Sequence, residues 1–183
     1  VSRSRDRSGR ASATAALLAI LSASWPRRPR AGTLTRPPPY SGAPMVGRQL
    51  ELDAAARFLA SLGTGAGVLV IEGAPAIGKT TLWRAAVDLA GECGVRVLAC
   101  RPAQAEAKLS YTGLTDLLSG CEEMLARIPG PQRAALDVAL LQAAPGASAP
   151  DRRVICAGFS SVLRALVDET PVLVAVDDVQ WLD

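Results

Sequence analysis

Apolar residues along this chain switch between two rhythms, and the switches mark its elements. Val68-Leu69-Val70-Ile71 and Val172-Leu173-Val174-Ala175-Val176 are unbroken apolar runs rich in β-branched residues. Such runs suit strands covered on both faces in a parallel sheet. Val95-Arg96-Val97-Leu98-Ala99-Cys100 reads as another strand. Elsewhere the apolar spacing lengthens to the three- and four-residue steps of a helix. Leu50, Ala54, Phe58 and Leu62 form one such stripe, ahead of the first of these strands. Residues 81–90 form a helix stopped by Gly91, and Leu114, Leu117 and Leu118 belong to another, broken at Gly120. Residues 131–143 and 151–168 read as further helices; Pro131 suits a helix start, and Ile155, Phe159, Val162, Leu163 and Leu166 form a buried stripe. Strands alternating with helices predict an α/β fold.

One apolar run stands apart. Ala15-Ala16-Leu17-Leu18-Ala19-Ile20-Leu21 follows an Arg-rich start and precedes Ser22-Ala23-Ser24. It is too short to span a membrane as a helix, which takes about 20 apolar residues. Its flanks resemble those of a secretory signal or an organellar transit segment. Six of the 13 prolines fall before residue 45, including Pro37-Pro38-Pro39. Proline fits neither helix interiors nor central strands. We therefore expect residues 1–44 to be a disordered Arg/Pro-rich extension, with Met45 as a natural beginning and residues 45–183 as the domain.

Charge sharpens that division. The whole chain of 183 residues carries +3. Residues 1–44 hold eight arginines and one acid, whereas residues 45–183 hold 12 basic and 16 acidic residues. The basic character thus belongs to the extension, and it makes no case for nucleic-acid binding by the rest. The absence of histidine excludes Ser-His-Asp and Cys-His catalysis and His-ligated zinc. Cys93, Cys100, Cys121 and Cys156 have no CxxC spacing and read as buried, reduced thiols.

The chemistry begins where the first long apolar run ends. Gly73-Ala74-Pro75-Ala76-Ile77-Gly78-Lys79-Thr80 matches GxxxxGK[ST], with a strand before it and a helix from Thr81 after it. Backbone N–H groups of such a turn form an anion cradle. The helix start adds its positive dipole end. Lys79 supplies a cation for the β- and γ-phosphates, and Thr80 a hydroxyl for Mg²⁺. Ala76 stands where many such loops carry another glycine. A positive φ there would cost its Cβ on the order of 1 kcal/mol. The second long run leads into Asp177-Asp178, a Walker B pattern. Its carboxylates emerge at the C-terminal edge of the sheet, where open α/β sheets bind ligands. Asp177 is placed to hold Mg²⁺ opposite Thr80, and Asp178 to orient or deprotonate an attacking water.

Val46-Gly47-Arg48-Gln49-Leu50-Glu51-Leu52 resembles the VGRxxEL opening of AAA-type ATPase modules. Asp177-Asp178-Val179-Gln180-Trp181-Leu182-Asp183 resembles the DDxxWxD signature of the same group. In this order, with the phosphate loop between them, the motifs resemble the N-terminal ATPase module of large LuxR-type transcriptional regulators. These are signal-transduction ATPases with numerous domains (STAND), similar to the origin-recognition-like AAA group. The resemblance implies a P-loop NTPase fold with a three-layer parallel sheet, incomplete at the C-terminus because the chain stops after the second acidic motif. It implies ATP and Mg²⁺ as cofactors. It also places Val46, Gly47 and Arg48 near the adenine or ribose, residues 73–81 on the phosphates, and Trp181 beside the sheet edge. The function expected is Mg-ATP binding within a cytoplasmic signalling regulator, with weak or no hydrolysis by this chain alone. Self-association or downstream regulator domains are the expected partners, with no direct DNA or membrane binding. An inert or interaction-only fragment, or a P-loop small-molecule kinase, are the competing readings; a kinase needs an acceptor site and a basic lid that no Arg cluster after Asp178 supplies.

Overall fold

A computed structural model describes residues 14–21, 47–60, 66–105, 110–144 and 149–182 of the chain. Val46, Leu62 and Asp183 lie outside the described residues, as does most of the stretch 1–44.

Four strands form the described sheet: β1 (Thr14–Leu21), β2 (Gly67–Gly73), β3 (Arg96–Cys100) and β4 (Val172–Val176). Their spatial order is β2-β1-β4-β3. β3 and β4 pair in parallel, from Arg96↔Val172 to Cys100↔Val176. β1 runs antiparallel to both neighbours, matching Thr14 with Gly73 and Ile20 with Gly67 on one side, and Leu17 with Val176 and Leu21 with Val172 on the other. β2 and β4 therefore point the same way, one strand apart. This corrects two expectations. The sheet is mixed rather than all parallel, and Thr14–Leu21 is a strand rather than part of a disordered extension. The parallel expectation applies to strands joined through intervening helices, as β2, β3 and β4 are. β1 and β2 are likewise separated by a helix, Gln49–Ala60, yet they pair antiparallel, so that helix does not form the parallel βαβ crossover that the rule describes.

The helices are α1 (Gln49–Ala60), α2 (Lys79–Glu92), α3 (Thr112–Leu118), α4 (Glu122–Leu125), α5 (Gly130–Ala139) and α6 (Arg152–Glu169). Pro131 sits in the first turn of α5, where its missing N–H costs nothing. Asp151 caps α6, its carboxylate accepting the Arg153 N–H at 2.8 Å.

Side-chain alternation along β4 serves two cores. Val172 and Val176 join Leu98, Leu136, Ile155 and Val162 in a cluster with α3–α6. Leu173 and Ala175 join Ala55, Leu59, Trp83, Leu89 and the β1 residues Ala16 and Leu18 in a cluster with α1 and α2. β4 is thus covered on both faces, as its sequence predicts. β2 is not: Leu69 and Ile71 pack inward, while Val68 is 63% exposed and Val70 is exposed too. The α1 stripe is rotated as well, burying Ala55 and Leu59 and leaving Leu50 81% exposed. Among the cysteines, Cys100 and Cys121 are buried, Cys93 is half-buried and Cys156 is exposed, contrary to the expectation for the last. Burial pushes the Cys93 and Cys121 thiols above their ordinary pKa, since a thiolate is poorly solvated there.

Candidate functional site

β2 ends at Gly73, and the chain turns through residues 74–78 into α2. Two positions in this turn have left-handed backbone, Ala76 with φ 61° and Gly78 with φ 94°. A Cβ at Gly78 would meet no atom, so glycine is needed there for its φ rather than for space. Ala76 adopts the unfavourable conformation that its sequence position foreshadows.

Lys79 opens α2 and turns its side chain back under the loop. Its Nζ donates to the Gly73 carbonyl at 3.2 Å and the Ala74 carbonyl at 2.9 Å. Only 9% of Lys79 is exposed. An ammonium so enclosed is held by the carbonyls of its own loop. Thr80, the next residue, is half-buried.

The end of β4 delivers the acids. Asp177 is 1% exposed. Its N–H continues the parallel ladder to the Cys100 carbonyl at 3.1 Å. One carboxylate oxygen accepts the Asp178 N–H at 3.1 Å, and the other accepts from Arg101 Nε at 3.3 Å. Arg101 is the residue directly after β3, so the parallel register carries its guanidinium to Asp177. This contact offsets the desolvation of the buried carboxylate. Asp178 leaves the strand at φ 51°, a conformation Asp tolerates better than most residues, and starts a single 3-10 turn, Val179–Trp181.

That turn faces the phosphate loop. Pro75, Ala76, Gly78, Lys79, Thr80 and Thr81 line one side of a cleft of about 510 Å³; Asp178, Gln180 and Trp181 line the other. A second pocket of about 260 Å³ shares Gly78 and Lys79 with the cleft. It is bounded by Arg48, Glu51, Ala54, Ala55, Ile77, Gly78 and Leu82, with part of β2. Arg48 bridges helix and loop. It donates to the Ile77 carbonyl at 2.6 Å and to Glu51 at 2.7 Å. This hydrogen bond, with a smaller one from the Glu51 backbone, holds the Glu51 carboxyl below its ordinary pKa.

The structure thus brings Lys79, Thr80, Thr81 and Asp178 to one cleft and Arg48 to a neighbouring pocket. Gly47 is exposed, with φ 76°. Asp177, buried at the strand end, lines neither of these two pockets. Glu51 and Gln180 stand inside the two flanking motifs without a role read for them, and Arg101 stands in none. A charge placed directly after an apolar strand was the signal available for Arg101. The oxygen donors Thr80 and Asp177 suit Mg²⁺, a hard cation. No group of three or more His, Cys, Asp or Glu residues able to hold a metal exists among the described residues. That donor set fits an ion that brings phosphate oxygens with it, rather than one caged by protein alone.

Comparison with known proteins bears on residues 44–183, which match the family model described as AAA ATPase domain. No curated protein and no solved structure matches the chain.

Proposed function

The chain belongs to the AAA ATPase domain family, and on that premise we propose that it binds Mg-ATP as a module of a signalling or transcription regulator of the LuxR-linked STAND type. The observation that carries the reading is the shared cleft between the phosphate loop and the Asp178–Trp181 turn. Loop amides and the α2 N-terminus favour the anionic phosphates. Lys79 would exchange the Gly73 and Ala74 carbonyls for phosphate oxygens. Thr80 and Asp177 would hold Mg²⁺, which when bound neutralises charge on the β- and γ-phosphates. Freed from Arg101 on one oxygen, Asp177 would offer that lone pair to the ion or its water. Asp178, at the cleft wall, would orient a water near the terminal phosphate. It is shorter than a glutamate, in keeping with weak or no hydrolysis by this chain alone. The pocket beside Arg48 is sized for a base or ribose.

Fluorescent ATP titrated into the chain with Mg²⁺ tests the reading. Lys79→Ala should weaken binding by at least tenfold, because a charge-assisted phosphate contact is lost. Equal affinity in both proteins would refute it.

A further inference from the structure

Asp177 needs a countercharge, and Arg101 does not. Only 2% of the Asp177 side chain is exposed, against 50% of the Arg101 side chain. A carboxylate withdrawn so far from water is costly unless a cation faces it, whereas a half-exposed guanidinium loses little by turning back into solvent. Among the described residues Arg101 is the one ion-pair partner of Asp177. Lys79, the cation of the phosphate loop, directs its Nζ to the Gly73 and Ala74 carbonyls instead. The backbone puts Arg101 there: Cys100 pairs with Val176, so the two residues that follow leave neighbouring strand ends side by side. The contact is single and long. Arg101 Nε stands 3.3 Å from Asp177 Oδ2, where charge-assisted N–H···O bonds run about 2.7–2.9 Å and strong guanidinium pairs are bidentate. Asp177 Oδ1 is engaged by the Asp178 N–H, so Oδ2 is the oxygen on which Arg101 and any second cation meet. Asp178 has no part in this contact; its own carboxylate accepts from Gln180 Nε2 at 3.1 Å.

We propose that Arg101 is the resident countercharge of Asp177 in the metal-free chain and competes with Mg²⁺ for that one buried carboxylate. The proposal rests on the Mg-ATP reading for the identity of the incoming cation. Arg101 then has two opposed effects. It stabilises the empty domain, because without it Asp177 is buried unpaired. It also raises the Mg²⁺ concentration that nucleotide binding requires, because a guanidinium and a divalent cation on one carboxylate repel each other where water is excluded. A residue that merely aimed Asp177 at the metal would act in the opposite sense, its loss weakening the use of Mg²⁺.

Two measurements on the full chain test it. In EDTA without nucleotide, Arg101→Gln should lower the melting midpoint by about 4 °C or more. In an Asp177→Asn background the same change should cost less than half as much, because no buried charge is left to pair. Equal costs in both backgrounds would overturn the pairing. With fluorescent ATP, the Mg²⁺ concentration at half-saturation should fall at least threefold in Arg101→Gln and in Arg101→Met, which keeps the apolar stem. Arg101→Lys keeps the charge and should stay within twofold of the native chain. So should Arg127→Gln, a control at an arginine of similar exposure, 55%, paired with Glu169. An unchanged or raised Mg²⁺ requirement in the two neutral variants would overturn the competition. Affinity for ATP in EDTA should change less than twofold in all four; a larger change in the Arg101 variants would put Arg101 on the nucleotide and overturn it too. A native chain that binds no ATP would sink the Mg-ATP reading and the competition with it, while the melting cycle would still decide whether Arg101 pairs with Asp177.

Discussion

Lys79 shows how local sequence and distant contacts divide the work at single residues. Its identity and neighbours are written in eight consecutive residues, so its place under the loop is legible from the motif alone. Arg101 is the opposite case. It meets Asp177 only because β3 and β4 pair in parallel, and 76 positions separate the two in sequence. No local pattern encodes that. Ala76 lies between these extremes: the motif hinted at a left-handed backbone, and the loop adopts φ 61°. Relief of that strain outweighs the greater freedom glycine has when unfolded. Ala76→Gly should then stabilise the chain by about 0.5–1 kcal/mol. Thermal denaturation should show a rise of about 1–4 °C; an unchanged or lower midpoint would mean that the loop carries no strain at Ala76. The Arg48–Glu51 contact makes a different expectation. A carboxyl whose folded pKa is lowered contributes stability above its unfolded value and loses it as pH falls through the folded value. The ordinary value is 4.5, so the contribution is complete above that pH and fades below it. An NMR titration should place the Glu51 midpoint below 4.5 in the native chain and closer to 4.5 in Arg48→Ala.

At the scale of elements, helices were easier to locate than to orient. α6 follows its predicted stripe closely, burying Ile155, Val162 and Leu166. Gly158 was absent from that stripe, yet it is where α6 meets α5. A Cβ there would lie 2.9 Å from Leu136 Cδ1 and 3.2 Å from the Gln132 carbonyl oxygen. Leu136 is fully buried and has little room to yield. Gly158→Ala gains up to about 1 kcal/mol in helix propensity but overpacks the contact at a cost of about 1–3 kcal/mol. We expect net destabilisation, seen as a lower melting midpoint. Leu136→Ala should cost less in the Gly158→Ala background than in the native chain, because the two changes share one space. α1 was located but turned: its Leu50, Ala54, Phe58 stripe gave way to burial of Ala55 and Leu59. The amphipathic pattern there is shallow, with alanine on several faces, and the Arg48 bridge to the loop sets the helix entry. β2 likewise reads as doubly covered, but no described helix packs over Val68 and Val70.

For the whole molecule, the alternation of strands and helices announced an α/β fold, and the two apolar runs gave β2 and β4 their direction. The inner strand β1 was hidden for a physical reason. An isolated run of alanines and leucines carries no period that separates strand from buried helix or targeting segment. It is a strand by virtue of pairing with β2 and β4, whose partner residues lie between 47 and 159 positions away. The charge division is likewise a property of the chain rather than of the site: the basic surplus lies before residue 45, and the cleft draws on Lys79 and its amides.

The same strand has a consequence for synthesis. β1 is synthesised well before its partner strand, and its pairing with Val172 through Val176 waits for about 150 further residues. At 5–20 residues per second this delay is roughly 8–30 s. Through that interval an apolar strand with two unsatisfied edges is available to other chains. Long-range pairing of this kind also slows folding once synthesis ends. The vulnerable moment in the life of this protein is therefore its own translation, and the yield of soluble chain should depend more on elongation rate and chaperone supply than on the stability of the finished fold.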